Sequence, residues 1–93
     1  MRQAAKVDAN QAKVVAALRA IGASVQPLHQ IGKGCPDLLV CHYGKLFLLE
    51  VKDGAKPPSD RRLTDDQKNW IAKWPGPVYV VTSEEEAIMA VSG

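Results

Sequence analysis

Cysteine and histidine are scarce in this 93-residue chain, two of each, and aromatic residues make up only 5% of it. Cys35, Cys41, His29 and His42 fit no zinc-ligand spacing, which excludes a structural zinc site as the basis of the fold. Cys41 alternates with Asp37 and Leu39 and reads as a small buried hydrophobe. No apolar run approaches the roughly 20 residues that span a bilayer, and the first residues lack a signal-peptide core. The expectation is a cytoplasmic protein with no membrane contact. Internal repeats, linkers and low-complexity tracts are absent as well. What is present, 46% hydrophobic and 24% charged residues, excludes disorder as the main state. The length suits one domain over residues 1–93, near the lower end of what buries an adequate core.

The net charge of +2 conceals an asymmetry, because Glu84, Glu85 and Glu86 account for three of the ten acids. Residues 1–82 hold all 12 Lys and Arg against seven acids, a balance of +5. That balance suits contacts to phosphate without demanding them.

The most informative stretch is Cys35–Asp53, two apolar strands joined by a tight turn at Tyr43-Gly44. Asp37 opens the first strand, and Glu50 and Lys52 close the second. Side chains alternate along a strand, so Glu50 and Lys52 share a face with Leu46 and Leu48, while Phe47, Leu49 and Val51 take the other. A two-residue loop pairs His42 with Lys45 and sets Asp37 opposite Glu50; a loop of three or five residues would separate the acids. Two opposed carboxylates repel at the roughly 4.5–5.5 Å of a cross-strand pair. A shared proton, the Lys52 ammonium or a divalent cation would offset that repulsion. Mg²⁺ suits such a pair, and a lysine beside it is placed to orient or deprotonate an attacking water. Glu-x-Lys alone is commonly a solvated surface pair; Pro-Asp one hairpin away gives it its meaning.

Around the hairpin the chain alternates helix and strand. Asp8-Ala9-Asn10-Gln11 reads as a capping box opening a helix near Ala9–Ile21, with Val14, Val15, Leu18 and Ile21 on one stripe and Gly22 as its stop. Gln11 extends that stripe toward the sheet. Residues 1–7 form an arm carrying Arg2 and Lys6. Ala23–His29 is a strand, and Gln30–Pro36 is a glycine-rich approach to Asp37, with Lys33 in reach of DNA. Residues 53–62 form a Pro/Gly loop in which Lys56, Arg61 and Arg62 are candidates for backbone phosphates or are merely solvated. Thr64–Gln67 is a second capping box, and Gln67, Trp70, Ile71 and Trp74 recur at helical spacing. The tryptophans are expected as core or dimer contacts rather than base-stacking platforms. Val78–Thr82 reads as a strand buried on both faces. Ser83 caps a last helix whose Ala87, Ile88 and Val91 face inward.

Pro36-Asp37 followed by Glu50-Val51-Lys52 resembles the PD-(D/E)XK signature of restriction-endonuclease-like nucleases. Gly32–Leu39, Leu48–Lys52 and Leu63-Thr64-Asp65-Asp66-Gln67 are together similar to the small stand-alone VRR-NUC type of phages and bacteria. The resemblance implies an α/β fold with an αβββαβα core, a mixed sheet flanked by helices. It implies Asp37, Glu50 and the Val51 carbonyl as ligands of Mg²⁺ or Mn²⁺, with Lys52 and Gln67 in catalysis. The family often supplies a further acid from the first helix; here that position is Gln11, an accessory candidate and a departure. The implied function is metal-dependent endonucleolytic hydrolysis of DNA, structure-selective for Holliday junctions or flaps, by a homodimer in a bacterial or phage-infected cell. A DNA-binding module without catalysis is the alternative, and an interaction subunit using the tryptophan face is a third reading.

Overall fold

The computed structural model of the protein describes residues 9–93. Asp8 and the arm with Arg2 and Lys6 lie outside the described residues. In chain order the elements are α1 (Ala9–Ala20), β1 (Ser24–Pro27), β2 (Leu38–His42), β3 (Lys45–Val51), a 3-10 turn (Pro58–Arg61), α2 (Asp65–Lys73), β4 (Tyr79–Val81) and α3 (Glu84–Ser92). This is the α/β order expected from the sequence, on one mixed sheet of order β1-β2-β3-β4.

The hairpin register is the expected one. His42 pairs with Lys45 and Leu38 with Leu49, so Asp37 and Glu50 continue the same ladder on one face. Tyr43 and Gly44 both take positive φ, 50° and 75°, which is what a two-residue turn matching the strand twist requires. The alternation then decides burial. Leu38, Val40, His42, Phe47, Leu49 and Val51 are buried, while Leu39, Cys41 and Leu48 are half-exposed and Leu46 is exposed.

α1 and α3 cover the buried face and pack on each other. Val14 and Leu18 from α1, Ala87 and Val91 from α3, and Val81 from β4 complete the core with the strand residues. Each fully buried leucine here (Leu18, Leu38, Leu49) stabilises by about 1.5–3 kcal/mol. Ser83 caps α3 as expected, its Oγ accepting from the Glu86 N–H at 3.1 Å. Glu86 returns to Thr82, accepting from its N–H and its hydroxyl, and those bonds hold its carboxyl below the usual range.

The structure corrects four expectations about burial. β4 is three residues long and forms the sheet edge, so Tyr79 and Val80 are exposed instead of covered on both faces. Ile21 lies past the end of α1 and is exposed. Cys41 is half-buried, and Trp74 is exposed, so it is no core residue. The exposure of Trp74 has a visible cause. α2 has no fully buried residue and leaves an apolar cleft of about 460 Å³ over the sheet, with Leu39, Leu46 and Leu48 on one side and the stacked Trp70 and Trp74 on the other.

Candidate active site

Five segments meet where β2 begins and β3 ends: the first turn of α1, the two strand ends, the loop after β3, and the first turn of α2. Gln11, Asp37, Glu50, Val51, Lys52 and Gln67 line one polar cavity of about 200 Å³ there. All six were singled out from the sequence. Lys56, Asp53 and Asp60 from the loop complete its wall.

Backbone and side-chain bonds fix the arrangement. Asp37 Oδ2 accepts from the Val51 N–H at 2.8 Å, which ties the first acid to the strand end that carries the second. Glu50 is buried at 3% exposure. Its Oε2 accepts from Gln67 Nε2 at 2.9 Å and lies 3.7 Å from Lys52 Nζ. Lys52 Nζ donates to Gln67 Oε1 at 2.8 Å. The same Gln67 oxygen accepts from the Thr64 N–H at 2.8 Å, while Thr64 Oγ1 accepts from the Gln67 N–H at 3.2 Å. Gln67 therefore serves as helix cap and as bridge between Glu50 and Lys52, two roles that the sequence presents as alternatives.

Electrostatically the site is an acid pair with one partial counter-charge. Burial first, then the Asp37 charge and a hydrogen bond to it, push the Glu50 carboxyl up to about 8, against a smaller lowering by Lys52. Cys35, at the approach to Asp37, has its thiol raised by burial and by Glu50 and Asp37. The donors fit a small hard cation: two carboxylates with an amide and a backbone segment around them make an oxygen-rich set, leaving room for waters. Among the described residues no three Asp, Glu, His or Cys side chains converge as a ligand cluster. Gln11 occupies the cavity wall and is 5% exposed. Its capping partner Asp8 lies outside the described residues.

The basic candidates separate. Lys56 lines the cavity; Arg62, just past the 3-10 turn, is exposed and not part of the cavity wall, and Lys33 is exposed on the glycine-rich turn away from it. Arg61 turns inward: its Nε is shielded and without a partner among the described residues, and its charge helps lower Glu86 on α3.

Two supporting residues escaped the sequence reading. Asn10 Nδ2 donates to the Lys52 carbonyl at 2.8 Å and to the Thr82 carbonyl at 3.3 Å, fastening α1 across the ends of β3 and β4. Its only sequence signal was its place beside Gln11 in the first helical turn. Gly34 has φ +84°, and a Cβ there would run into the Asp66 carbonyl and lie 2.8 Å from the Gln67 nitrogen. The glycine-rich turn thus seats α2. Gly34→Ala is expected to cost about 3 kcal/mol through strain and overpacking and to displace Gln67. Gly32, with φ +70° and open space around it, bears only the conformational cost, about 1 kcal/mol when changed to alanine. Paired denaturation curves of the two variants check this difference.

No family model and no curated protein matches the sequence. A solved structure described as "VRR_NUC domain" is similar, at 26% identity and a TM-score of 0.63, over 88% of this chain and 89% of that one.

Proposed function

We propose that this chain, which has the fold of the VRR-NUC branch of the PD-(D/E)XK nucleases, is a divalent-metal-dependent endonuclease hydrolysing DNA phosphodiester bonds. One observation carries the reading: Gln67 joins Glu50 and Lys52 at 2.9 and 2.8 Å on the rim of the cavity that holds Asp37. Such a bridge gives a surface Glu–Lys pair no advantage that solvent would not supply, whereas it fixes a reacting pair.

Asp37, Glu50 and the Val51 carbonyl would hold Mg²⁺ or Mn²⁺. A divalent cation supplies Lewis-acid polarisation of the phosphate and acidifies water. Lys52 orients the attacking water and offsets negative charge as it builds on the phosphate. Gln67 keeps the lysine from collapsing onto Glu50 and holds the carboxylate in place. Gln11 is placed to hydrogen-bond a water beside the acid pair. Lys56 and Arg62, with Lys33 further out, offer positive charge to the backbone of the DNA. Arg61 would join them only by leaving its inward position.

The reading extends to substrate and assembly. A domain of residues 1–93 presents little surface for reading bases, so selection by DNA shape, as at a four-way junction or a flap, suits it. The uncovered face under Trp70 and Trp74 suits a homodimer, which would cut both strands. The setting is the cytoplasm of a bacterium or a phage-infected cell. A second reading, a DNA-binding module without catalysis, draws on the neutral Gln11.

The deciding experiment incubates the protein with labelled linear duplex, flap and four-way-junction DNA in Mg²⁺ or Mn²⁺, with both strands followed. Metal-dependent cutting of a branched substrate, with paired nicks, is expected. Retained binding with no cutting in either metal would replace the nuclease with the module.

A further inference from the structure

One side chain, Gln11, lines two cavities. On one side is the polar cavity of Asp37 and Glu50. On the other is a groove of about 290 Å³ between α1 and the end of β1, bordered by Ala12, Val15, Ala16, Arg19, Pro27 and His29. The two cavities thus adjoin at a single amide.

The groove differs chemically from its neighbour. No acid lines it, and α1 carries Lys13 and Arg19 with no Asp or Glu at all. Ala12 and Ala16 stand one helical turn apart and make, with Val15 and Pro27, a shallow apolar floor. At one end His29 follows Leu28, whose N–H donates to the Asp37 carbonyl at 2.7 Å, so the histidine sits on the strand extension that flanks the acid. His29 Nδ1 is shielded and has no partner among the described residues. A buried polar atom left so costs about 1–3 kcal/mol unless a ligand satisfies it. At the other end the one side-chain hydrogen bond of Arg19 among the described residues runs from Nη2 to the Val25 carbonyl at 3.3 Å. Most of its five donors therefore remain for another acceptor. The eight residues from Gln11 to Arg19 put that guanidinium about 12 Å along the helix from the catalytic cavity.

We propose that this groove is a subsite for unpaired nucleotides on one side of the scissile phosphate. Sugar and base rest on the alanine–proline floor, His29 hydrogen-bonds the nucleotide nearest Asp37, and a following phosphate meets Arg19. The occupant is single-stranded, because the floor offers an apolar surface for one strand's bases and positive charge without any opposing acid. The subsite rests on the nuclease reading above, and it adds to that reading a direction for the strand leaving the site.

The test uses the full chain and a labelled single-stranded oligonucleotide, with Ca²⁺ in place of Mg²⁺, read by fluorescence anisotropy. Ala16→Glu and Arg19→Ala are both at exposed positions of α1, and their unfolding midpoints check the fold. Each is expected to weaken binding at least tenfold. Arg19→Ala is further expected to reduce the slope of log affinity against log salt by about 0.7, the mark of one lost phosphate contact on a single strand. Wild-type affinity in both variants, or no binding of the oligonucleotide by the wild type, overturns the subsite even if the protein cuts DNA. Groove-dependent binding by a wild type that cuts nothing keeps the subsite and removes the nuclease.

Discussion

Lys52→Ala is expected to lower metal-dependent DNA cleavage by about 10²–10⁴-fold, the usual worth of one positioned proton-transfer or charge-stabilising group. Affinity for the same DNA should change little, because the proposed phosphate contacts are spread over other basic residues. The lysine stands 3.7 Å from Glu50 and is among the groups that lower the carboxyl's proton affinity. Its loss should therefore raise that affinity further, and any residual activity should move to higher pH. The measurement is the rate of flap or junction cleavage against pH for both proteins, with binding followed separately. A variant that cuts at the wild-type rate would remove Lys52 from the chemistry and leave it a surface partner of Gln67.

The second large effect is on stability and needs no DNA. Glu50 takes up its proton at about 8 in the folded protein, against 4.5 for an ordinary glutamate. The folded state thus holds a proton that the unfolded state has already released. Below pH 4.5 the carboxyl is protonated in both states and costs nothing. As pH rises from there to about 8 stability falls, and above 8 the loss is complete. At about 1.4 kcal/mol per unit the loss reaches about 5 kcal/mol as an upper bound. Mg²⁺ or Mn²⁺ should stabilise the protein more at pH 8 than at pH 5.5, since it favours the ionised pair. Glu50→Gln keeps an acceptor for Gln67 and removes the charge, so its unfolding curve should be flat across this window and higher than wild type at pH 8. Thermal unfolding at several pH values, with and without cation, checks each statement. An unchanged pH slope in the variant would assign the loss to another group.

How much of this was legible in the sequence depended on how local each feature is. The register of Asp37 and Glu50 followed from the parity of one two-residue turn, and β2 and β3 have it. The order of helices and strands was likewise readable from alternating apolar periods, while the mixed sheet came with the family resemblance. Gln67 was readable twice over, as a cap and as part of a motif, because both roles lie within four residues. The failures concern covering. The β-branched run at Val78–Val81 looks the same whether a sheet continues past it or stops there, and here the sheet stops. Trp70 and Trp74 lie on one helical stripe, but nothing in their spacing tells how far α2 stands from the sheet. Asn10 and Gly34 act on backbone atoms remote in sequence, Lys52 and Asp66 respectively, and a backbone acceptor leaves no mark in a sequence.

The parallel pairing of β3 with β4 divides the site into a local part and a long-range part. The two hairpins that join β1, β2 and β3 are local, so they close early and bring Asp37 to Glu50. The β3–β4 pair must instead close a loop spanning residues 52–78, and Gln67 lies within that loop. The acid pair therefore depends on local pairing alone, whereas the Gln67 bridge to Lys52 belongs to the long segment that the β3–β4 pair encloses.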